Sequence, residues 1–271
     1  MYQARTTPPR RPTPSAKPSK RKLYSTIAVI AVLLLIALGV FLGSKAFAPD
    51  TTSGTTSNTE QSASSLQFDK QQYSTTNSAS IWVIVNKQNP LAPKEYAPNN
   101  LVFPDVPLRV PGNDSMQLRQ DAATALEKLV AGAKSEGLTL MLASGYRSYT
   151  YQVGLYDGYV RSMGKTEADK TSARPGHSEH QTGLAADLEP VSKECELEIC
   201  FGDLPEGKWL AANAYRYGFI IRYPIDKTSI TGYEYEPWHL RYIGTGLAAE
   251  LKKQNLKTLE EFFDVAGGTS Y

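Results

Sequence analysis

Two of the three histidines in this chain lie in one short segment, residues 175–190, whose sequence is PGHSEHQTGLAADLEP. In this segment His180 and Asp187 offer one nitrogen and one oxygen ligand for a metal ion, and His239, the third histidine, offers a second nitrogen. Two histidines and one carboxylate suit zinc, and three protein ligands leave the fourth tetrahedral position to water. The set is typical of a catalytic zinc site rather than a structural one.

Glu236 stands three residues before His239, in the segment EPWH. A carboxylate that is not itself a ligand can take the proton of the attacking water, so Glu236 is the candidate general base. In a regular strand, residues three apart point to opposite faces. The two side chains can therefore share one site only if Pro237 or a bulge interrupts the alternation.

The elements that position these residues follow from hydrophobic periodicity and from glycine and proline signals. Because helices and strands mix without regular βαβ alternation, the sequence predicts the α+β fold class. The predicted strands cover residues 80–87, 138–148 with its turn, 219–224 and 237–244, and the predicted helices cover 115–137, 149–164, 207–218 and 245–254.

Charge is distributed unevenly along the chain. Residues 1–48 hold eight of the 29 basic residues and no acidic one, which leaves 21 basic against 27 acidic residues, or −6, for residues 49–271. A globular part with this balance lacks the basic surface that releases counterions from nucleic acid. We therefore expect no nucleic-acid partner.

Residues 23–44 contain no charged side chain. As a helix, this run is long enough to cross a bilayer core of about 30 Å. We expect a transmembrane signal-anchor in contact with the lipid bilayer, with the basic residues 1–22 in the cytoplasm and the C-terminal part outside it. The alternative is a signal peptide cleaved near Ala48, which would release a secreted protein, but the long apolar run and the following Pro49 favour the anchor.

A Ser- and Thr-rich stretch follows the apolar run. Residues 49–65 contain no aliphatic side chain larger than alanine and cannot bury enough apolar surface to offset chain entropy. We expect a disordered linker over residues 45–67 and one globular domain over residues 68–271.

Two short patterns give the chain a specific resemblance to a known family. SEHQTGLAAD at 178–187 matches SxHxxGxAxD, and EPWH at 236–239 matches ExxH, of the VanY-type D-alanyl-D-alanine carboxypeptidase family. SGYRSYTYQ at 144–152 and GFIIRYP at 218–224 are also similar to segments of that family. The resemblance runs from about residue 80 to the end and implies a single zinc-peptidase domain with a small antiparallel sheet flanked by helices.

The resemblance also implies roles for individual residues. His180, Asp187 and His239 would bind one Zn²⁺ per chain, and Glu236 would be the general base that activates the attacking water. That glutamate would later pass the proton to the leaving amine.

Three further positions match the part of the family pattern that binds substrate. Arg147 would bind the substrate and stabilise the anionic tetrahedral intermediate, and Gln152 and Ser178 would hold the terminal D-alanine. An arginine and neutral hydrogen-bond donors are suited to a free carboxylate. His177 does not match a ligand position, and we interpret it as a group at the rim of the site.

The function implied is that of a membrane-anchored zinc carboxypeptidase, a hydrolase that removes the terminal D-alanine from peptidoglycan stem peptides. One alternative is an L,D-carboxypeptidase acting on tetrapeptide stems, which the matched segments do not distinguish from a D,D-enzyme. The other is a non-catalytic domain that binds the cell wall. The presence of the base, the arginine and all three ligands favours an enzyme.

Cys195 and Cys200 are the only cysteines in the chain. Outside the cytoplasm, a pair this close in sequence predicts a local disulfide in the loop after Asp187. A metal site at these cysteines is the weaker alternative, since it would need two more ligands and no histidine could supply one without dismantling the site described above.

Overall fold

The structure is a computed structural model that describes residues 68–271. The predicted basic tail, transmembrane segment and linker, residues 1–22, 23–44 and 45–67, lie outside the described residues. Within residues 68–271 no helix is both long and apolar enough to cross a bilayer. This finding corrects the single-pass membrane localisation predicted from the sequence, which the described part of the chain does not support.

A four-stranded antiparallel sheet of order β3-β4-β6-β5 lies at the centre of the described chain, and β1 and β2 form a separate antiparallel pair. The six strands are β1 (Leu101–Val102), β2 (Leu118–Arg119), β3 (Leu140–Ser144), β4 (Ala185–Pro190), β5 (Phe219–Tyr223) and β6 (Glu236–Tyr242).

Seven α-helices and four short 3-10 turns surround the sheet in the described residues. The helices are α1 (Gln120–Ser135), α2 (Tyr149–Met163), α3 (Lys165–Thr171), α4 (Pro205–Asn213), α5 (Thr228–Thr231), α6 (Thr245–Gln254) and α7 (Leu259–Phe263). The 3-10 turns are Asp114–Met116, Glu179–Thr182, Ile199–Asp203 and Ala214–Tyr217. Helices around a small antiparallel sheet confirm the α+β class.

Two clusters of buried apolar side chains hold these elements together. In the larger cluster, Leu126 and Leu129 of α1 pack with Leu142 of β3 and Leu188 of β4. The smaller cluster joins α6 and α7 to the segment that contains Trp82. Burial of these side chains removes apolar surface from water and so fixes the sheet on which the site is built.

The prediction of a strand at residues 80–87 is wrong, because this segment pairs with no other strand. Successive side chains of the segment nonetheless alternate between two apolar clusters. Val83 belongs to the larger apolar cluster, whereas Trp82 and Ile84 belong to the smaller one. The carbonyl oxygens of Ile81 and Val83 accept hydrogen bonds from the Arg241 guanidinium, which replaces the bonds of a strand partner.

The other predicted elements occur with shifted limits. The helix predicted at 115–137 begins at Gln120, because residues 118–119 pair with β1 instead. The helices predicted at 149–164 and 245–254 correspond to α2 and α6. The sequence analysis predicted neither β4 nor α3. β4 is buried along its whole length and therefore shows no alternation of apolar and polar residues.

Cys195 and Cys200 form a disulfide, with their Cα atoms 5.6 Å apart. The bridge joins the loop after β4 to the 3-10 turn Ile199–Asp203, which contains Cys200, and is the local disulfide that the spacing predicted.

Candidate metal centre

The side chains of His180, Asp187 and His239 meet in one buried group. One ligand atom from each lies within 4.8 Å of the others. Asp187 and His239 are directly opposite each other across β4 and β6, which antiparallel pairing makes close neighbours. The residues are 2%, 5% and 4% exposed.

His180 reaches the group from the 3-10 turn Glu179–Thr182. Gly183 ends that turn in the left-handed region, at φ +68°, which glycine adopts without a steric cost. The ring Nδ1 of His180 donates to the carbonyl oxygen of Gly145 at 2.6 Å. A Cβ at Gly145 would lie 2.4 Å from the carbonyl oxygen of Gln117, so only glycine lets the backbone approach this closely.

The atoms that face the centre of the group fit a zinc ion. Nε2 of His180 lies 3.3 Å from Oδ2 of Asp187, and Nδ1 of His239 lies 3.0 Å from Oδ1. In tetrahedral zinc sites with bonds of about 2.0–2.1 Å, ligand atoms are separated by roughly 3.3 Å. Nε2 of His180 and Oδ1 of Asp187 are buried without a hydrogen-bond partner among the described residues, a state that metal ligation would relieve.

The two histidines have opposite electrostatic environments. Burial and the nearby Arg147 charge lower the pKa of His180 to about 4. Burial alone would lower the pKa of His239 as well, but the nearby carboxylates of Asp187 and Glu179 outweigh it and raise this pKa to about 9. Asp187 has its pKa held far below the usual range, because the two histidines outweigh its burial.

Glu236 lies at the edge of the group, with Oε2 3.7 Å from Nδ1 of His239. The pairing of β5 with β6 is interrupted there: Ile221 pairs with Leu240 and Tyr223 with Glu236, so β6 advances four residues while β5 advances two. This irregularity confirms the interruption that the sequence spacing required. Burial, with the negative charge of Asp187 in addition, raises the pKa of Glu236 to about 7.

Arg147 and Ser178 line the pocket that opens onto this group. The Arg147 side chain is 20% exposed, and its Nη2 lies 4.0 Å from Oδ2 of Asp187. Its backbone N–H donates to the carbonyl oxygen of His180 at 3.2 Å, which ties the turn after β3 to the ligand turn. A guanidinium therefore stands beside the metal group with part of its surface free for a ligand.

Gln152 does not line the pocket, and His177 is not part of the metal group. Gln152 is fully buried and does not line the pocket; its amide donates to Ser172 Oγ at 3.1 Å and to the Ala173 carbonyl at 2.7 Å, and these two residues do line it. Nδ1 of His177 donates to the carbonyl oxygen of Asn86 at 2.9 Å. His177 is outside the three-residue metal group.

Three residues that shape the site are not among the site residues predicted from the sequence. Tyr223 and Tyr233 line the pocket, and the Tyr223 ring lies 4.7 Å from that of His239. Glu179 is almost completely buried, and its Oε2 lies 3.6 Å from Nε2 of His239. No sequence signal marks Glu179, which occupies a variable position of the matched pattern.

The chain is similar to a known family of carboxypeptidases. The family model described as D-alanyl-D-alanine carboxypeptidase, VanY, matches residues 115–245. YodJ of Bacillus subtilis (strain 168) is 47% identical over 189 residues, which cover 69% of this chain and 68% of YodJ. The bifunctional D-Ala-D-Ala dipeptidase and D-Ala-D-Ala carboxypeptidase VanXYC of Enterococcus gallinarum is 33% identical over 188 residues, or 69% of this chain and 95% of VanXYC.

Two solved structures extend the comparison. The LdcB LD-carboxypeptidase has 46% sequence identity and a TM-score of 0.66, with 70% of this chain and 88% of that chain covered. The second is a mutant of the D,D-pentapeptidase VanY from the VanB-type resistance cassette, in complex with Zn(II). It has 33% sequence identity and a TM-score of 0.55, and the match covers 67% of this chain and 97% of that chain. Together with the His, Asp and His donor set, this complex identifies zinc as the cofactor.

Proposed function

Because this chain belongs to the VanY family of D-alanyl-D-alanine carboxypeptidases, which are zinc metallopeptidases, we propose that it hydrolyses the bond before a C-terminal D-alanine of peptidoglycan stem peptides. The observation that supports this most directly is the buried group of His180, Asp187 and His239 with Glu236 at its edge. The catalytic domain proposed is the one predicted from the sequence, residues 68–271.

In this proposal His180, Asp187 and His239 hold the zinc ion. The ion supplies Lewis acidity when bound. Glu236 takes the proton of the attacking water and then delivers it to the leaving amine. Its raised pKa suits both steps, because a group poised near neutral pH can accept and release a proton with little free-energy cost.

Arg147 and Ser178 are the proposed substrate contacts. The guanidinium of Arg147 stands where it can bind a carboxylate and offset the negative charge that develops on the scissile carbonyl oxygen. Ser178 offers a neutral hydrogen-bond donor from the pocket wall. Gln152 acts in this proposal through Ser172 and Ala173, whose positions it fixes.

Two bonds are candidates for cleavage. The family description and VanXYC favour the D,D bond of a pentapeptide stem, as the sequence predicted. The greater similarity to an LD-carboxypeptidase, 46% against 33% identity and a TM-score of 0.66 against 0.55, favours the L,D bond of a tetrapeptide stem. We give the second observation more weight and expect the tetrapeptide to be cut faster.

The test incubates the purified zinc-loaded protein with defined pentapeptide and tetrapeptide stems and identifies products by mass spectrometry. We expect release of D-alanine, and Glu236→Gln should lower the rate by about 10² to 10⁴ while keeping its zinc, because the amide cannot accept the proton. Faster cleavage of the pentapeptide would reverse the choice of bond. Binding of both stems without cleavage by the wild type would instead support a non-catalytic domain.

A further inference from the structure

Four buried, oppositely charged side chains connect the metal group to the last helix. We call them the buried charge network: Glu179, Arg222, Arg241 and Glu260, with side chains 0–2% exposed. Nε of Arg222 and Nη1 of Arg241 both donate to Oε1 of Glu179, each at 2.7 Å. The two remaining nitrogens of Arg222 donate to the carboxylate of Glu260 on α7 at 2.9 and 2.7 Å.

The second oxygen of Glu179 is the unusual one. Oε2 has no hydrogen-bond partner among the described residues, and neither has Nε2 of His239, which lies 3.6 Å away. Hydrogen bonds of this type have lengths of about 2.7–3.2 Å, so a shift of roughly 0.5 Å would join the two atoms. Buried polar atoms are rarely left without a partner, which marks this pair as a contact that zinc loading would complete.

The other ring nitrogen of His239 points into the metal group. Nδ1 lies 3.0 Å from Oδ1 of Asp187 and 3.7 Å from Oε2 of Glu236. A neutral imidazole carries one N–H, so a ring that binds zinc through Nδ1 must carry its proton on Nε2. The acceptor aimed at that proton is the carboxylate of Glu179.

We infer that Glu179 is a positioning residue for zinc, which fixes the ring orientation and tautomer of His239. The inference rests on the proposed function, in which His239 is a zinc ligand. Both arginines bind Oε1 and leave Oε2 aimed at the ring. A carboxylate behind a ligand histidine also strengthens the histidine as a donor. The corresponding contact of His180 is different, because its Nδ1 donates to the neutral carbonyl of Gly145.

The test measures zinc affinity by competition with a chromogenic chelator. Glu179→Gln should weaken binding by about 10- to 100-fold, because the amide keeps the size of the side chain and loses the charge behind His239. The matched control is Glu189→Gln. Glu189 is equally buried and is paired with Arg109, but it contacts none of the proposed ligands, so its zinc affinity should not change.

Thermal unfolding of the metal-free forms separates positioning from a purely structural role. Both variants remove a buried charge and should unfold at lower temperature than wild type, but only Glu179→Gln should lose zinc affinity. Wild-type affinity in Glu179→Gln, or an equal loss in Glu189→Gln, would overturn the inference.

A measurement on the wild type keeps the inference testable if Glu179→Gln does not fold. In the zinc-loaded protein, correlation spectra of the ¹⁵N-labelled imidazoles should show His239 protonated at Nε2, with a slowly exchanging proton. Ligation through Nε2 would refute the inference. His239→Ala tests the site itself: if it keeps its zinc, the proposed function loses its ligand set, whereas loss of zinc there with wild-type affinity in Glu179→Gln would refute only the role of Glu179.

Discussion

Two clusters of arginine and carboxylate flank the pocket, and they differ in contact with water. In the buried charge network, side chains are at most 2% exposed. In the other, which we call the rim cluster, Asp169 of α3 accepts hydrogen bonds from Arg174, Lys165 and Tyr156, at 2.6–2.9 Å. Its charged side chains are 19–61% exposed.

The same chemistry therefore has different consequences in the two places. Removing one member of a buried ion pair leaves a charge without solvent or partner, whereas water replaces a lost partner at the rim. Burial alone would raise the pKa of Glu179, but Arg222 and Arg241 hold it well below its usual range. At the rim, hydrogen bonding from Arg174 has the same effect on the pKa of Asp169.

The difference matches what each cluster touches. The buried charge network ends at His239, whose ring must keep one orientation to bind a metal. The rim cluster adjoins the pocket through Arg174, which follows the lining residue Ala173. The guanidinium carbon of Arg174 lies 4.0 Å from the centroid of the Tyr271 ring. A fixed centre and a hydrated rim suit a site that must hold an ion firmly and admit a peptide.

The largest expected effect is the loss of an arginine from the buried charge network. Arg222→Met keeps an unbranched side chain of similar length but leaves Glu179 and Glu260 under-compensated, which should lower the free energy of unfolding by about 3–5 kcal/mol. Chemical denaturation of the metal-free protein measures it. The matched rim variant, Arg174→Met, should cost about 1 kcal/mol or less. Equal losses in both would remove the distinction between the clusters.

The sequence indicated which three side chains lie together in the buried group, but it did not indicate the residues that support them. His180, Asp187 and His239 were identifiable because few residue types bind zinc and their pattern is specific. Arg222 and Arg241 occur in predicted strands, where a charged residue ordinarily points to water. Glu179 contacts them across 43 and 62 positions of sequence, which no local pattern reveals.

The same limit applies to the fold. The irregularity in β6 was predictable, because Glu236 and His239 had to share one site although strand geometry separates them. The segment at 80–87 shows the opposite case. Its alternation correctly indicated burial on two sides, but whether an extended segment pairs with a strand or with a guanidinium depends on distant residues.

Replacing Asp169 of the rim cluster should cause a smaller loss of folding stability, and this loss should disappear at low pH. The folded-state pKa of Asp169 lies below the unfolded value of about 3.9, so its contribution to stability is present above that pH and is lost as the pH falls below it. Asp169→Asn should therefore cost about 1 kcal/mol near pH 7, and the gap to wild type should narrow below about pH 4. Denaturation across this range tests the sign.

The control for that prediction lies on the same helix. Glu167 and Lys170 form an ion pair with both side chains more than half exposed. Glu167→Gln should leave stability unchanged at every pH, because an exposed pair on a helix surface contributes little. A gap between Asp169→Asn and wild type that widens in acid would mean that the cluster destabilises the ionised form.

The smallest expected effect is the change that salt makes in the stability cost of each substitution. Measuring this change for one variant of each cluster compares the two clusters in one experiment. At 1 M ionic strength the Debye length is about 3 Å, so charges that water can reach are screened while those in the interior are not. The cost of Asp169→Asn should shrink between low salt and 1 M NaCl, whereas the cost of Arg222→Met should stay the same. Because each variant is compared with wild type at the same salt concentration, general effects of salt on the hydrophobic core cancel. If salt reduced both costs by the same fraction, water would reach Arg222 in solution, and Glu179 would lack the rigid support that its role at His239 requires.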